Sequence, residues 1–223
     1  MSDWRQRRIT LAKRLNEGEC DGYYGDGILI LSAVLSGIAA DLWPGKGKDR
    51  RRFVELWARY ADPSLTPNLI SVPLLVASLE VEGEHDLEQI VRNTHPQAFP
   101  PWKMDLMVVT GEDVDKTEAD LITLDSRLAT KNLSQFSYGS VFYEHLRSGY
   151  THEYHTTDYA SQVPMATETS SVSYVNMSGV QHRRQIYFHF AWVAELVESV
   201  WASVMASGHA PRLPEPTTWW VDA

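Results

Sequence analysis

Residues 28–43, ILILSAVLSGIAADLW, place apolar side chains around nearly the whole circumference of any helix they form. Such a helix has no face to give to water, so other elements must surround it, and the natural solution is a bundle with this segment at its centre. Pro44 and Gly45 end it. The flanking segments supply walls. From Trp4 to about Asn16, Ile9, Leu11 and Leu15 alternate with basic residues in the manner of a short amphipathic helix. Residues Arg51 to Tyr60 carry Phe53, Val54, Leu56, Trp57 and Tyr60 at helical spacing. A chain of 223 residues is long enough for one generous core, and residues 1–223 are read as a single domain.

The next segment, 61–117, reads as an irregular inserted connection. Pro73 within LISVPLLVASLEVEG allows either two short pieces or a helix that starts near it, and Leu106 to Val109 suits a strand or an extended crossover. Thr117 followed by Asp120 has the spacing of a helix N-cap, and Leu121, Leu124, Leu128, Leu133 and Phe136 make a buried stripe. A second helix starts near Ser137 and turns Val141, Phe142, Leu146 and Tyr150 inward. Two β-prone runs, SVSYVNM and QIYFHF, are separated by turn residues and predict a β-hairpin over 171–190. Val193, Leu196, Val197, Val200, Trp201 and Val204 then form a long last helix, and 209–223 reads as an irregular tail. The expected class is mainly α, a helical bundle with a small β-hairpin insertion before the last helix.

Charge and cysteine content narrow the function. A net charge of -9 argues against indiscriminate nucleic-acid binding but leaves room for local basic sites. Positive charge gathers at Arg5 to Arg14, at KGKDRRR from Lys46 to Arg52, and at Arg183 and Arg184. The one cysteine, Cys20, fits a reducing compartment. No apolar run is read as approaching the roughly 18–20 residues a membrane helix needs, and the first residues lack the apolar core of a secretion signal. The expectation is a cytoplasmic protein with no membrane association.

Chemistry concentrates in residues 142–155, FYEHLRSGYTHEYH, which hold three of the eight histidines. Arg147 and His152 are five residues apart, about 140° on a continuous helix, so they do not face one small group. Either the chain breaks at Gly149, where glycine weakens the helix, or a second copy of the chain completes the pocket. An arginine and a histidine suit cleavage of RNA without a metal. The histidine exchanges protons near neutral pH, while the forked guanidinium holds phosphate and stabilises the pentacoordinate transition state. The nucleophile is the substrate's own 2′-hydroxyl.

Arg147, Ser148-Gly149-Tyr150-Thr151 and His152 resemble the Arg, four-to-six residues, His signature of HEPN domains. These are small helical bundles found in ribonuclease toxins, phage-defence proteins and RNA-guided nucleases. The order of helices around the motif agrees, over roughly 5–60, 117–155 and 190–207, while 61–117 and the hairpin lie outside the resemblance. A polar residue, often asparagine, follows the family's arginine, and Ser148 in that place is a departure from the pattern, though serine can still donate a hydrogen bond. The resemblance implies a HEPN-like bundle, a homodimer with two Arg147 and His152 pairs lining one cleft, and an endoribonuclease of a toxin–antitoxin or antiviral defence system. It implies RNA as substrate, a neutralising or effector protein as a further partner, and no cofactor. Glu144, Ser148 and Tyr150 are expected to support the two catalytic residues.

Other readings compete. Arg147 and His152 also suit a helix C-terminus, where cations meet exposed carbonyls. Glu144 suits either a surface pair with Arg147 or a positioning role. The same bundle can serve as a non-catalytic dimeric binding or scaffolding module, antitoxin-side or regulatory. His152 and His155, with Glu153 and Asp158, offer metal-ligand chemistry, but no third histidine or cysteine completes a set and no metal is expected. His145 is expected to face solvent, and His182 and His189 to be ordinary strand residues. Trp43, Trp57, Trp192 and Trp201 fall on apolar helical faces as core residues; TTWWVDA docks on either a partner or its own domain.

Overall fold

A computed structural model describes residues 4–99, 108–153, 155–162, 171–177, 183–208 and 213–222. The chain is mainly helical with a small three-stranded antiparallel sheet. Helix α1 (Trp4–Asn16), α2 (Tyr24–Leu42) and α3 (Asp49–Tyr60) form the N-terminal layer. As its all-round apolar surface requires, α2 sits centrally. It packs against α1, α3 and the last helix, α10 (Phe190–Ala206), and buries Ile28, Leu31, Leu35, Ile38 and Leu42. By length and composition α2 could also cross a membrane, so the expectation that no run reaches that length is corrected. More than half of its most apolar stretch is buried within the bundle.

The 61–117 segment is a second correction, because it is built of regular elements. Helix α4 (Val72–Val81) starts where Pro73 occupies the first turn, which has no backbone hydrogen bond for proline to break, and the Ser71 hydroxyl accepts from Leu74 N–H. Helix α5 (His85–Thr94) buries Leu87 and Val91. Strand β1 (Val108–Thr110) runs into the short helix α6 (Gly111–Val114). The predicted cap is present: Thr117 and Asp120 form a reciprocal capping box at the start of α7 (Glu118–Leu124). The leucine stripe after it is not one helix. It continues in short 3-10 turns at Ser126–Thr130 and Leu133–Phe136, which still bury Leu128 and Leu133.

The expected hairpin is present as β2 (Val172–Met177) and β3 (Arg183–Phe188), in the register Val172 opposite Phe188 and Tyr174 opposite Ile186. Strand β1 adds to its outer side with Val109 opposite Tyr174, giving the order β1-β2-β3. Under this sheet lies a buried polar knot. One Asp115 carboxylate oxygen accepts from the hydroxyls of Tyr138 and Tyr174, each at 2.7 Å, and the other accepts from Val72 N–H at 3.0 Å. It ties the start of α4 and Tyr138 to strand β2.

Much of the described part of the C-terminal tail is docked on its own domain. Leu213 N–H donates to Leu42 C=O, the Trp43 indole to Pro214 C=O and Trp220 N–H to the buried Glu55 carboxylate. Arg59 pairs with the same carboxylate, and Ser134 Oγ donates to Val221 C=O. The tail ends in a 3-10 turn, Trp220–Asp222.

Candidate functional site

The segment that carries the candidate residues is helical from Tyr138 to His152. It comprises α8 (Tyr138–Val141), a π-helical stretch (Phe142–Arg147) and α9 (Ser148–His152). Ser137 caps its start by accepting from Ser140 N–H. The wider π turn, marked by Ser148 N–H reaching Tyr143 C=O, is a feature often found at functional positions. Val141, Phe142, Leu146 and Tyr150 all point inward as their spacing predicts. Phe142 packs against Phe53 and Trp57 of α3 and edge-on to Phe188 of β3, with ring centroids 5.0 to 6.2 Å apart. The opposite face of the helix is therefore turned outward.

Arg147 and His152 stand on that outward part. The Arg147 guanidinium lies 4.9 Å from the centre of the Tyr143 ring, one helical turn back, and it has no acidic partner among the described residues. Such stacking holds the planar fork in place while leaving its N–H groups to donate. His152 is exposed at the last position of α9.

Gly149 does not break the helix, contrary to the first of the two expected arrangements. Glu153 N–H reaches Gly149 C=O at 2.8 Å, so the helix runs through and the chain turns after His152. What glycine provides here is closeness: a Cβ at position 149 would lie 2.4 Å from the His155 carbonyl oxygen. The returning strand of chain passes directly over it, and Thr157 N–H donates to His145 C=O to pin that return. Arg147 and His152 consequently remain five helical residues apart, about 7.5 Å in rise.

The supporting residues are not gathered around them. Glu144 is exposed and forms no ion pair with Arg147 among the described residues. Ser148 is half-buried and its hydroxyl has no hydrogen bond among them. Tyr150 faces the core, packed beside Gly25 at the start of α2, with its hydroxyl buried and unpartnered; burial raises its pKa further above the ordinary phenol value. It belongs to the packing rather than to the outward face. His145, expected to face solvent, is instead half-buried. Its Nδ1 is 2.8 Å from Thr157 Oγ1, its ring packs on Tyr159, and burial lowers its pKa. His155 is exposed, with Nε2 3.3 Å from Glu153. Among the described residues no group of three His, Cys, Asp or Glu is placed to hold a metal ion. His189 is buried at the start of α10, its Nε2 2.9 Å from Ser173 Oγ, and burial lowers its pKa to about 4. Trp43, Trp57 and Trp192 are buried, Trp201 is half-buried beneath Arg5, and His182 and Trp102 lie outside the described residues.

Two residues that the motif did not include join Arg147 here: Tyr143 by contact, and Arg50 through its charge acting on Tyr143. Tyr143 is its platform, four residues earlier, a helical spacing that was open to view in the sequence. Arg50 of α3 comes from the KGKDRRR run. Elsewhere on the surface, a mainly apolar cleft of about 630 Å³ lies between α3, residues 63–69 and α7, and neither Arg147 nor His152 lines it. No family model, curated protein or solved structure matches the chain significantly.

Proposed function

We propose that the protein is a HEPN-like, metal-independent endoribonuclease of a toxin or antiviral defence system, active as a homodimer. The observation that carries the reading is Arg147: an arginine without an acidic partner among the described residues, stacked on Tyr143 and facing outward, about 1.4 turns before an exposed histidine on the same helix. An unpaired guanidinium with a fixed plane is suited to a phosphate, and the exposed imidazole to proton transfer. Because the helix is continuous, one chain's pair diverges. Two chains facing each other would bring Arg147 of one and His152 of the other to a single scissile phosphate.

In that arrangement one His152 takes the proton of the 2′-hydroxyl, whose oxygen attacks the adjacent phosphorus. The imidazolium so formed then gives a proton to the departing 5′-oxygen. The products are a 2′,3′-cyclic phosphate and a 5′-hydroxyl end, and Arg147 compensates the charge that builds on the non-bridging oxygens. Glu144 and Ser148 make no contact that orients these groups within one chain, which favours, as a second reading, a dimeric module that binds RNA or a protein without cleaving it. The deciding experiment is incubation of purified protein with mixed RNAs in EDTA. The expected outcome is cleavage by wild type, with a loss of at least about 100-fold in Arg147→Ala and His152→Ala. Intact RNA with wild type, or variants as active as wild type, overturns the ribonuclease reading.

A further inference from the structure

Arg50 lies at the start of α3, three residues before Phe53, so the two side chains share one face of that helix. Phe53 packs edge-on to Tyr143 with ring centroids 5.2 Å apart. Tyr143 in turn carries the Arg147 guanidinium over its ring. The two arginines, almost a hundred residues apart in sequence, both act on the charge of the same tyrosine, from two different helices. Arg50 has a buried Nε with no hydrogen-bond partner and no acidic partner among the described residues. A buried, unpaired guanidinium nitrogen is costly unless something else accepts from it.

The charges around Tyr143 fit an anion. Burial raises its pKa, so its hydroxyl stays protonated and able to donate; the guanidiniums of Arg147 and Arg50 act in the other direction, while Asp49 and Glu144 add to the raising. Asp49 is already paired with Arg52, and Glu144 is exposed. Two forked cations acting on one neutral phenol donor suit a singly charged tetrahedral oxyanion.

We propose that Arg50, Tyr143 and Arg147 form a clamp for one phosphodiester of the RNA backbone, with Arg50 as a binding residue outside the Arg147–His152 motif. The identity of the polymer rests on the ribonuclease reading. The clamp itself does not depend on cleavage, so it is tested with a ligand that cannot react. A short, fluorescently labelled 2′-O-methyl RNA lacks the attacking hydroxyl, and its binding is followed by anisotropy across a salt series. Arg50→Gln and Arg147→Gln are each expected to weaken binding about tenfold, the scale of one lost charge-assisted contact, and to reduce the salt slope by about 0.7, the value for one phosphate of a single strand. Arg50→Lys keeps the charge but not the fork, and is expected to restore the slope and only part of the affinity. Arg8→Gln, an exposed arginine on α1, is the control and leaves binding unchanged. Thermal unfolding of each variant separates loss of binding from loss of fold, and Arg50→Lys carries the test if Arg50→Gln unfolds. Binding by Arg50→Gln or Arg50→Lys equal to wild type overturns the clamp, as does wild type that fails to bind the oligonucleotide. Displacement by inorganic phosphate at equal concentration would mean a free anion is the ligand, which also overturns it. Binding that depends on Arg50 in a protein that leaves natural RNA intact sinks only the ribonuclease reading.

Discussion

Replacing Asp115 by Asn should change how stability depends on pH, and the structure sets both the sign and the size. Asp115 is wholly buried, and burial raises its pKa from 3.8 to about 7, against the stabilising hydrogen bonds from Tyr138, Tyr174 and Val72 and the nearby charge of Lys116. Between those two pH values the folded protein holds a proton that the unfolded chain has released. Its contribution is therefore complete at low pH and is lost as pH rises toward 7, at about 1.4 kcal/mol per pH unit and on the order of 4 kcal/mol in all. His189 acts in the opposite sense. Burial lowers its pKa to about 4, so between pH 4 and 6.5 the unfolded chain binds the extra proton and stability rises with pH. The two groups largely cancel in wild type over that range. Asp115→Asn keeps an acceptor for the tyrosine hydroxyls but cannot titrate, so it exposes the His189 slope. Urea unfolding at half-unit steps from pH 4 to 8 should give a nearly flat wild-type profile from these two groups and a rising one for Asp115→Asn. The difference should close by about 1.4 kcal/mol per unit toward pH 7. Parallel profiles would refute the buried, proton-holding Asp115.

Gly149→Ala separates two roles for that glycine. If flexibility were its purpose, alanine would strengthen the helix by about 1 kcal/mol; with a backbone carbonyl 2.4 Å from the new Cβ, overpacking should prevail and the midpoint of thermal unfolding should fall by a few degrees. Tyr150→Phe removes a buried hydroxyl that has no partner, so it should leave stability unchanged or raise it by about 1 kcal/mol in denaturant titrations, and leave RNA cleavage as in wild type. A clear loss of activity in Tyr150→Phe would return that residue to the site.

The parts of the fold that the sequence made legible are those whose signals are local. The all-round apolar surface of α2, the Thr117–Asp120 cap, the inward stripe of Val141, Phe142, Leu146 and Tyr150, and the β2–β3 pair all follow from patterns within about twenty residues. Helix α4 stayed one of two readings, because Pro73 supports a helix from its first turn but reads as a break without knowledge of where the helix starts. Leu106 to Val109 was legible as a strand or crossover, but the pairing of β1 with β2 and the Asp115 knot could not be read, since Asp115 meets Val72, Tyr138 and Tyr174 from segments 23 to 59 residues away. The same division holds at the candidate site. Arg147, Tyr143 and His152 share one helix and were visible as a spacing, whereas Arg50 acts on Tyr143 only through the packing of α3 on the π-helical turn. Tyr150 carried two incompatible readings, core residue and site residue, and burial decides for the core.

The composite site is tested most directly by mixing two inactive variants. Arg147→Ala and His152→Ala are purified separately, then unfolded and refolded together so that mixed dimers form. A mixed dimer retains one intact Arg147 on one chain and one intact His152 on the other. The account predicts that RNA cleavage in EDTA, negligible for each variant alone, returns in the mixture and rises with the fraction of mixed dimers measured by native mass spectrometry. Mixed dimers that form but remain as inactive as either parent would contradict it.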